Sequence, residues 1–175
     1  MDIVKLNDVM DFNLGKNITR IRDENSNIYT QEDFEKDLKM NDTEDTQHAC
    51  ILNLIKSKAA PVSQCSERKT LTQNFMKCSL DTSVILPWYF CYQFNEGKYL
   101  DQQISMFHQG TTLSVKKLNI KMVEDLMIPL PDLEKQKNIG EAYRRVIKQY
   151  ELSIKQAVNT RRYALELLRL IGEEV

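Results

Sequence analysis

The chain has 175 residues, room for one domain of ordinary size plus an extension, and its 42% hydrophobic and 28% charged residues suit a fold with a core and a solvated surface. No apolar run approaches the ~20 residues needed to span a bilayer, and the N-terminus (Met1-Asp2-Ile3-Val4-Lys5-Leu6-Asn7-Asp8) lacks the basic start and apolar core of a signal peptide, so a cytosolic protein with no membrane partner is expected. The net charge of −1 hides an uneven distribution: residues 1–47 carry 6 basic and 12 acidic side chains, residues 48–122 carry 9 and 4, and residues 123–175 carry 9 of each.

In chain order, Ile3, Val4, Leu6, Val9, Met10 and Phe12 form a short apolar stretch that reads as strand or helical turn. Gly15-Lys16-Asn17 reads as a turn, because glycine and asparagine both tolerate positive φ. Thr30-Gln31-Glu32-Asp33 matches a helix start, and Phe34 and Leu38 at helical spacing predict a short helix over residues 31–38. The polar run Asn41 to Gln47 reads as a loop. Ala49 to Ile55 is a compact apolar run, expected as a buried strand, and Ala59-Ala60-Pro61-Val62 is a second strand with proline at its edge. Asn74 to Cys78 suggests a third.

Leu86-Pro87-Trp88-Tyr89-Phe90 reads as a helix opening on Pro87, whose missing N–H costs nothing there. Trp88, Cys91 and Tyr92 would share one face of it, and Asn95-Glu96-Gly97 would end it. Tyr99 to Met106 suggests another short helix, Gly110 to Ser114 a loop with Ser114 capping the turn at Val115, and Leu126 to Leu130 a last strand. Short strands and helices in mixed order give an α+β domain. From Asp132, a capping residue, an uninterrupted helical pattern runs to Ile171. The expected division is therefore a globular part, residues 1–132, and a helix, residues 133–175.

Along that helix apolar residues recur at Ile139, Tyr143, Val146, Tyr150, Ile154, Ala157, Ala164, Leu168 and Ile171, with Arg161 filling the one gap. This is a heptad seam with an extra residue near Tyr150 and Ile154, a stutter that relaxes left-handed supercoiling. At 1.5 Å per residue the span is about 58 Å, too long for the chain to bury against itself. Pairing with a second long helix is expected, against the alternative of a hairpin folded back at Gly140 or Asn159-Thr160.

Catalytic signals are missing. Two histidines, His48 and His108, leave little for acid–base chemistry, and no Gly-x-Ser-x-Gly, His-Glu-x-x-His, Walker-type or methyl-donor motif occurs. Cys50, Cys65, Cys78 and Cys91 include no Cys-x-x-Cys pair, so reduced core thiols are favoured over a zinc site with His48 or a thiol nucleophile at Cys50. No enzyme, metal or cofactor is expected.

Three segments resemble the specificity subunits of type I restriction–modification systems. Ala49 to Ala60 is similar to that family's central strand and following loop, although the family's Gly-Asp pair reads Ala49-Cys50 here. Leu86 to Phe90 with Gly110-Thr111-Thr112 resembles its proline-start helix and glycine loop. Ile128-Pro129-Leu130-Pro131-Asp132-Leu133-Glu134-Lys135-Gln136 resembles the junction between a target recognition domain and the spacer helix. The resemblance implies a half-length form with one recognition domain (1–132) and one spacer and dimerisation helix (133–175).

It also implies partners: double-stranded DNA, modification (methyltransferase) subunits, a restriction subunit, and a second copy joined through the apolar seam of the helix. A chain of this kind reads one half of a split target and has no catalysis of its own. The DNA-contacting candidates are Lys16 and Arg20 in the first loop, Lys56, Lys58, Arg68 and Lys69 in the basic middle, and Gln109, Thr111, Thr112, Lys116 and Lys117. The rival reading is a coiled-coil adaptor without DNA recognition, which the acidic N-terminal third favours.

Overall fold

The computed structural model describes residues 2–21, 27–39, 45–108 and 117–173. It is an α+β domain from which one long helix departs. A four-stranded antiparallel sheet has the order β2 (Met10–Leu14), β5 (Phe75–Leu80), β3 (Asp45–Asn53), β4 (Lys58–Ser63). A separate two-stranded sheet pairs β1 (Asp2–Lys5) with β6 (Met127–Leu130), Asp2 opposite Leu130 and Lys5 opposite Met127. The first apolar stretch is therefore neither one strand nor one helical turn. It is two strands in different sheets, split by a 3-10 turn over Leu6–Asp8.

Side chains alternate across β3 and send it into two cores. Cys50 and Leu52 join Met76, Cys78 and Ala59 under the helices α2 (Pro87–Glu96) and α3 (Lys98–His108). Ala49 and Ile51 join Ala60, Val62 and Phe75 under α1 (Gln31–Lys39). The strand begins at Asp45, so residues 45–47, expected in a loop, belong to it.

The helix α1 opens on a reciprocal capping box. Asp33 N donates to Thr30 Oγ1 (3.2 Å) and Thr30 N to Asp33 Oδ2 (2.9 Å). Beneath it the Tyr29 and Ser66 hydroxyls each donate to the buried Asp37 carboxylate at 2.9 Å. Burial pushes the Asp37 carboxyl above its usual range, although hydroxyls of Ser63, Tyr29 and Ser66 pull the other way.

Backbone at the sheet margins is clipped by side-chain amides. Asn95 exchanges two hydrogen bonds with Ala59 on the edge strand β4, at 2.7 and 2.8 Å. Gln103 does the same to Met127 on β6, both at 2.8 Å. Each amide occupies edge groups that would otherwise invite another strand.

Between α3 and β6 lies α4 (Ile120–Glu124), which the sequence reading omitted; Asn119 caps it by accepting from Met122 N. The final helix, α5 (Leu133–Glu173), runs without a break for 41 residues, which removes the hairpin alternative. Asp132 Oδ1 accepts from Lys135 N at 2.8 Å, the cap expected of it.

Candidate nucleic-acid interface and spacer helix

One end of the four-stranded sheet gathers loops from distant parts of the chain. Gly15 N donates to Phe75 O, Lys16 N to Leu71 O, and Gln73 N to Lys16 O. Gly15 is not a positive-φ turn. It is glycine because a Cβ there would sit 2.1 Å from Thr72 O, so two backbones meet at that point. Alongside, Leu54 N donates to Asn74 O and Leu118 N to Leu54 O. Asn53 Oδ1 accepts from Ile55 N and Lys56 N, and Ser57, held at φ 50, turns the chain between Lys56 and Lys58.

These bonds bring Lys16, Lys56 and Lys117 to the same end, around residues 71–74. Lys117 Nζ donates to Asn74 Oδ1 at 3.1 Å. Several of the lysines are also tied to acids of their own chain. Lys56 reaches Glu35 at 3.2 Å, both half exposed. Lys58 donates to Asn95 O at 2.6 Å and stands 3.6 Å from Glu96. Lys69 pairs with Asp33 at 2.8 Å, with side chains 19% and 13% exposed. Burial there pushes the Asp33 carboxyl up, but hydrogen bonds from Lys69 and Thr30 outweigh it and leave the group below the usual carboxylate range.

The root of α5 packs along α2. Gln136, 1% exposed, accepts from Leu86 N (3.0 Å) and donates to Val84 O and Pro131 O (both 2.9 Å). One turn on, a Cβ on Gly140 would lie 2.8 Å from Trp88 Cβ and 3.1 Å from Tyr89 N; this glycine allows the two helices to touch. Tyr143 stacks edge-on against Trp88 and Tyr92 and accepts from Asn95 Nδ2 at 3.0 Å. Tyr89 OH donates to Pro129 O at 2.6 Å, which ties α2 to the strand that leads into the rod. The face expected to unite Trp88, Cys91 and Tyr92 is thus split. Cys91 lies in the core 3.6 Å from Cys50 Sγ, whereas Trp88 and Tyr92 lie beneath α5. Among the described residues the outermost ion pair between domain and α5 is Lys39 to Glu151, 3.1 Å, and from Leu152 to Gly172 every residue is exposed.

A crystal structure of the HsdS subunit from Thermoanaerobacter tengcongensis superposes with a TM-score of 0.58 over 89% of this chain, at 17% identity. A crystal structure of a type I restriction–modification system S subunit from M. genitalium does so with 0.54 over 93%, at 11% identity. The fold is that of a type I specificity subunit. The chain spans 39% and 44% of the length of those two. No family model matches its sequence, and no curated protein does.

On this specificity-subunit fold the candidates divide. Lys16, Arg20 and Arg68 are exposed and make no ion pair among the described residues. Lys56, Lys58, Lys69 and Lys117 have the partners given above, and Gln109, Thr111, Thr112 and Lys116 lie outside the described residues, as do Gly110 and Ser114. Two lysines escaped the sequence reading. Lys77 alternates with buried Met76 and Cys78 and so faces the side of β5 opposite them; Lys121 is exposed four residues beyond Lys117. Period-two alternation was the available signal for Lys77.

Of the seam residues, Ile139 and Tyr143 are half-buried against their own domain. Val146, Tyr150, Ile154, Ala157, Ala164, Leu168 and Ile171 are exposed. Cys50 is fully buried. Among the described residues no cluster of three or more His, Cys, Asp or Glu is placed to hold a metal, and no helix is long and apolar enough to cross a membrane.

Proposed function

We propose that this chain is a sequence-reading component of a type I restriction–modification complex. The loop-bearing end of its four-stranded sheet reads one half of a split target, and α5 is a spacer that sets the distance to a second reader and docks modification subunits. The observation that carries the reading is the joining of a specificity-subunit fold to a 41-residue helix that is exposed throughout from Leu152 to Gly172. Exposed Lys16 and Arg20 beside the Lys56 and Lys117 loops supply phosphate contacts, which position a protein on DNA, while neighbouring polar residues read base edges. The outer part of α5, residues 152–172, extends roughly 31 Å, the rise of about nine base pairs.

The adaptor reading has one observation in its favour: Lys56, Lys58 and Lys69 are already neutralised by Glu35, Glu96 and Asp33. Selection from a random-sequence duplex library, with and without a modification subunit, separates the two. Enrichment of a defined half-site supports DNA reading. Recovery of the modification subunit with no enriched sequence leaves the adaptor.

A further inference from the structure

Four cations converge on one cavity at the root of α5. It measures about 310 Å³, and Lys39 of α1 with Arg144, Arg145 and Lys148 of α5 lines it, together with Trp88 and a single carboxylate, Glu141. The chain as a whole has a net charge of −1, so this local excess of positive charge departs from its surroundings. Arg144 and Lys148 also stand four residues apart on one helix, a spacing at which like charges repel and weaken the helix. We propose that the cavity binds a short polyphosphate, two or three linked phosphoryl groups, whose charge relieves that repulsion. The inference stands apart from the DNA-reading role and concerns a different set of cations.

The cations are loosely engaged by their own chain. The Arg144 guanidinium lies over the Trp88 ring, 5.8 Å from its centroid. A planar cation on an indole face keeps its N–H fork at the edge, where it can grip phosphate oxygens two at a time. The platform beneath it is fixed, since Trp88 packs edge-on against Tyr143 and its Cβ lies against Gly140. Arg145 has only Glu141, at 3.8 Å with both side chains exposed, and Lys148 makes no ion pair among the described residues. Lys39, paired with Glu151 at 3.1 Å, supplies the wall from α1. The spread of these donors selects the ligand. Arg144 and Lys148 are offset by about 6 Å along α5, and Lys39 comes from a separate helix, so a lone tetrahedral oxyanion cannot meet all three. Linked phosphoryl groups can, with acceptors along their whole length. At about 100° per residue, Arg144 and Lys148 lie about 100° or more round the helix from Tyr143 and Val146, so they face away from whatever covers the apolar seam.

Trp88 is the chain's one tryptophan and reports on the cavity directly. Sodium tripolyphosphate is titrated into the whole chain, with ionic strength held constant by sodium chloride, and followed by Trp88 fluorescence and calorimetry. Binding saturates at one equivalent, and inorganic phosphate binds at least about tenfold more weakly. Arg145→Gln with Lys148→Gln, at exposed positions where the fold tolerates the change, raises the dissociation constant for tripolyphosphate at least about tenfold through two lost charge-assisted contacts. Arg161→Gln with Arg162→Gln removes the same charge from the exposed part of α5 and alters that constant by less than about twofold. Titration with CTP identifies the source of the phosphoryl groups: tighter binding than tripolyphosphate assigns a nucleotide, equal or weaker binding a free polyphosphate. Absence of saturation, inorganic phosphate binding as tightly as tripolyphosphate, or equal weakening by the two double variants would each overturn the proposal. So would a short DNA duplex that displaces tripolyphosphate from the parent, which would make the cavity part of a nucleic-acid surface.

Discussion

Replacing Gln136 by leucine tests how α5 is fixed to the globular domain. The side chain is buried and its amide makes three hydrogen bonds, to Leu86 N, Val84 O and Pro131 O. Leucine has a similar volume and restores none of them, so packing is roughly conserved while three backbone groups lose their partner. At about 1 kcal/mol net per bond, the loss is about 3 kcal/mol in urea unfolding of the whole chain. Gln136→Glu separates hydrogen bonding from shape. Its carboxylate still accepts from Leu86 N but turns negative oxygen towards the Val84 and Pro131 carbonyls, so at neutral pH it is at least as costly as leucine. Those carbonyls raise the folded-state pKa of the new carboxyl above its unfolded value. Stability is therefore gained as pH falls through that folded value, and Gln136→Leu shows no such recovery. A Gln136→Leu protein within about 0.5 kcal/mol of the parent would refute the assignment, since one net hydrogen bond exceeds that.

Gly140→Val brings a branched side chain against Trp88 and Tyr89 backbone and lowers stability by about 2 kcal/mol, with a red shift of Trp88 fluorescence; Gly172→Ala, with nothing within 4 Å, is neutral or slightly stabilising. Asp37 has a folded pKa above its unfolded one, so its contribution grows as pH falls through the folded value; the stability difference between parent and Asp37→Asn shifts towards the parent on acidification. Asp33, held below its usual range, acts in the opposite sense, and Asp33→Asn loses its cost as pH falls through the folded value of that group. For DNA binding, Lys16→Ala with Arg20→Ala weakens affinity for all sequences alike and reduces the slope of log K against log salt by about 2, as expected for two lost phosphate contacts. An unchanged slope would remove both residues from the interface.

The elements legible in the sequence are those written by local chemistry. Thr30 and Asp33 announce α1, Pro87 opens α2, Asp132 starts α5, and the apolar run at Ala49 gives β3. Long-range partners leave no such mark. Nothing near Ile3 says that it pairs with Pro129, and nothing near Asn95, Gln103 or Gln136 says that each amide closes on a strand or loop elsewhere. Gly15 and Gly140 were visible as residues but not as the places where two backbones meet, because that reason lies in the neighbour. The basic candidates follow the same rule. Lysine content singles out Lys16, Lys56 and Lys117, which the fold gathers at one end of the sheet, but which lysines are paired with acids depends on Glu35, Glu96 and Asp33, distant in sequence.

The junction from Ile128 to Gln136 has a physical reason to look as it does. Its strand is held to β1, its Pro129 carbonyl accepts the Tyr89 hydroxyl, its Asp132 caps the helix, and its Gln136 bonds the loop before α2. Each of these contacts restrains the direction in which α5 leaves the domain. A swivelling rod would spread two readers over many separations, and the free energy of ordering it would weaken every binding event. Under the spacer role proposed above, the polar bonds at the junction matter beyond stability: they convert a helix of fixed length into a fixed distance. Loosening them should broaden the spacing that a paired reader accepts before it weakens recognition of either half-site.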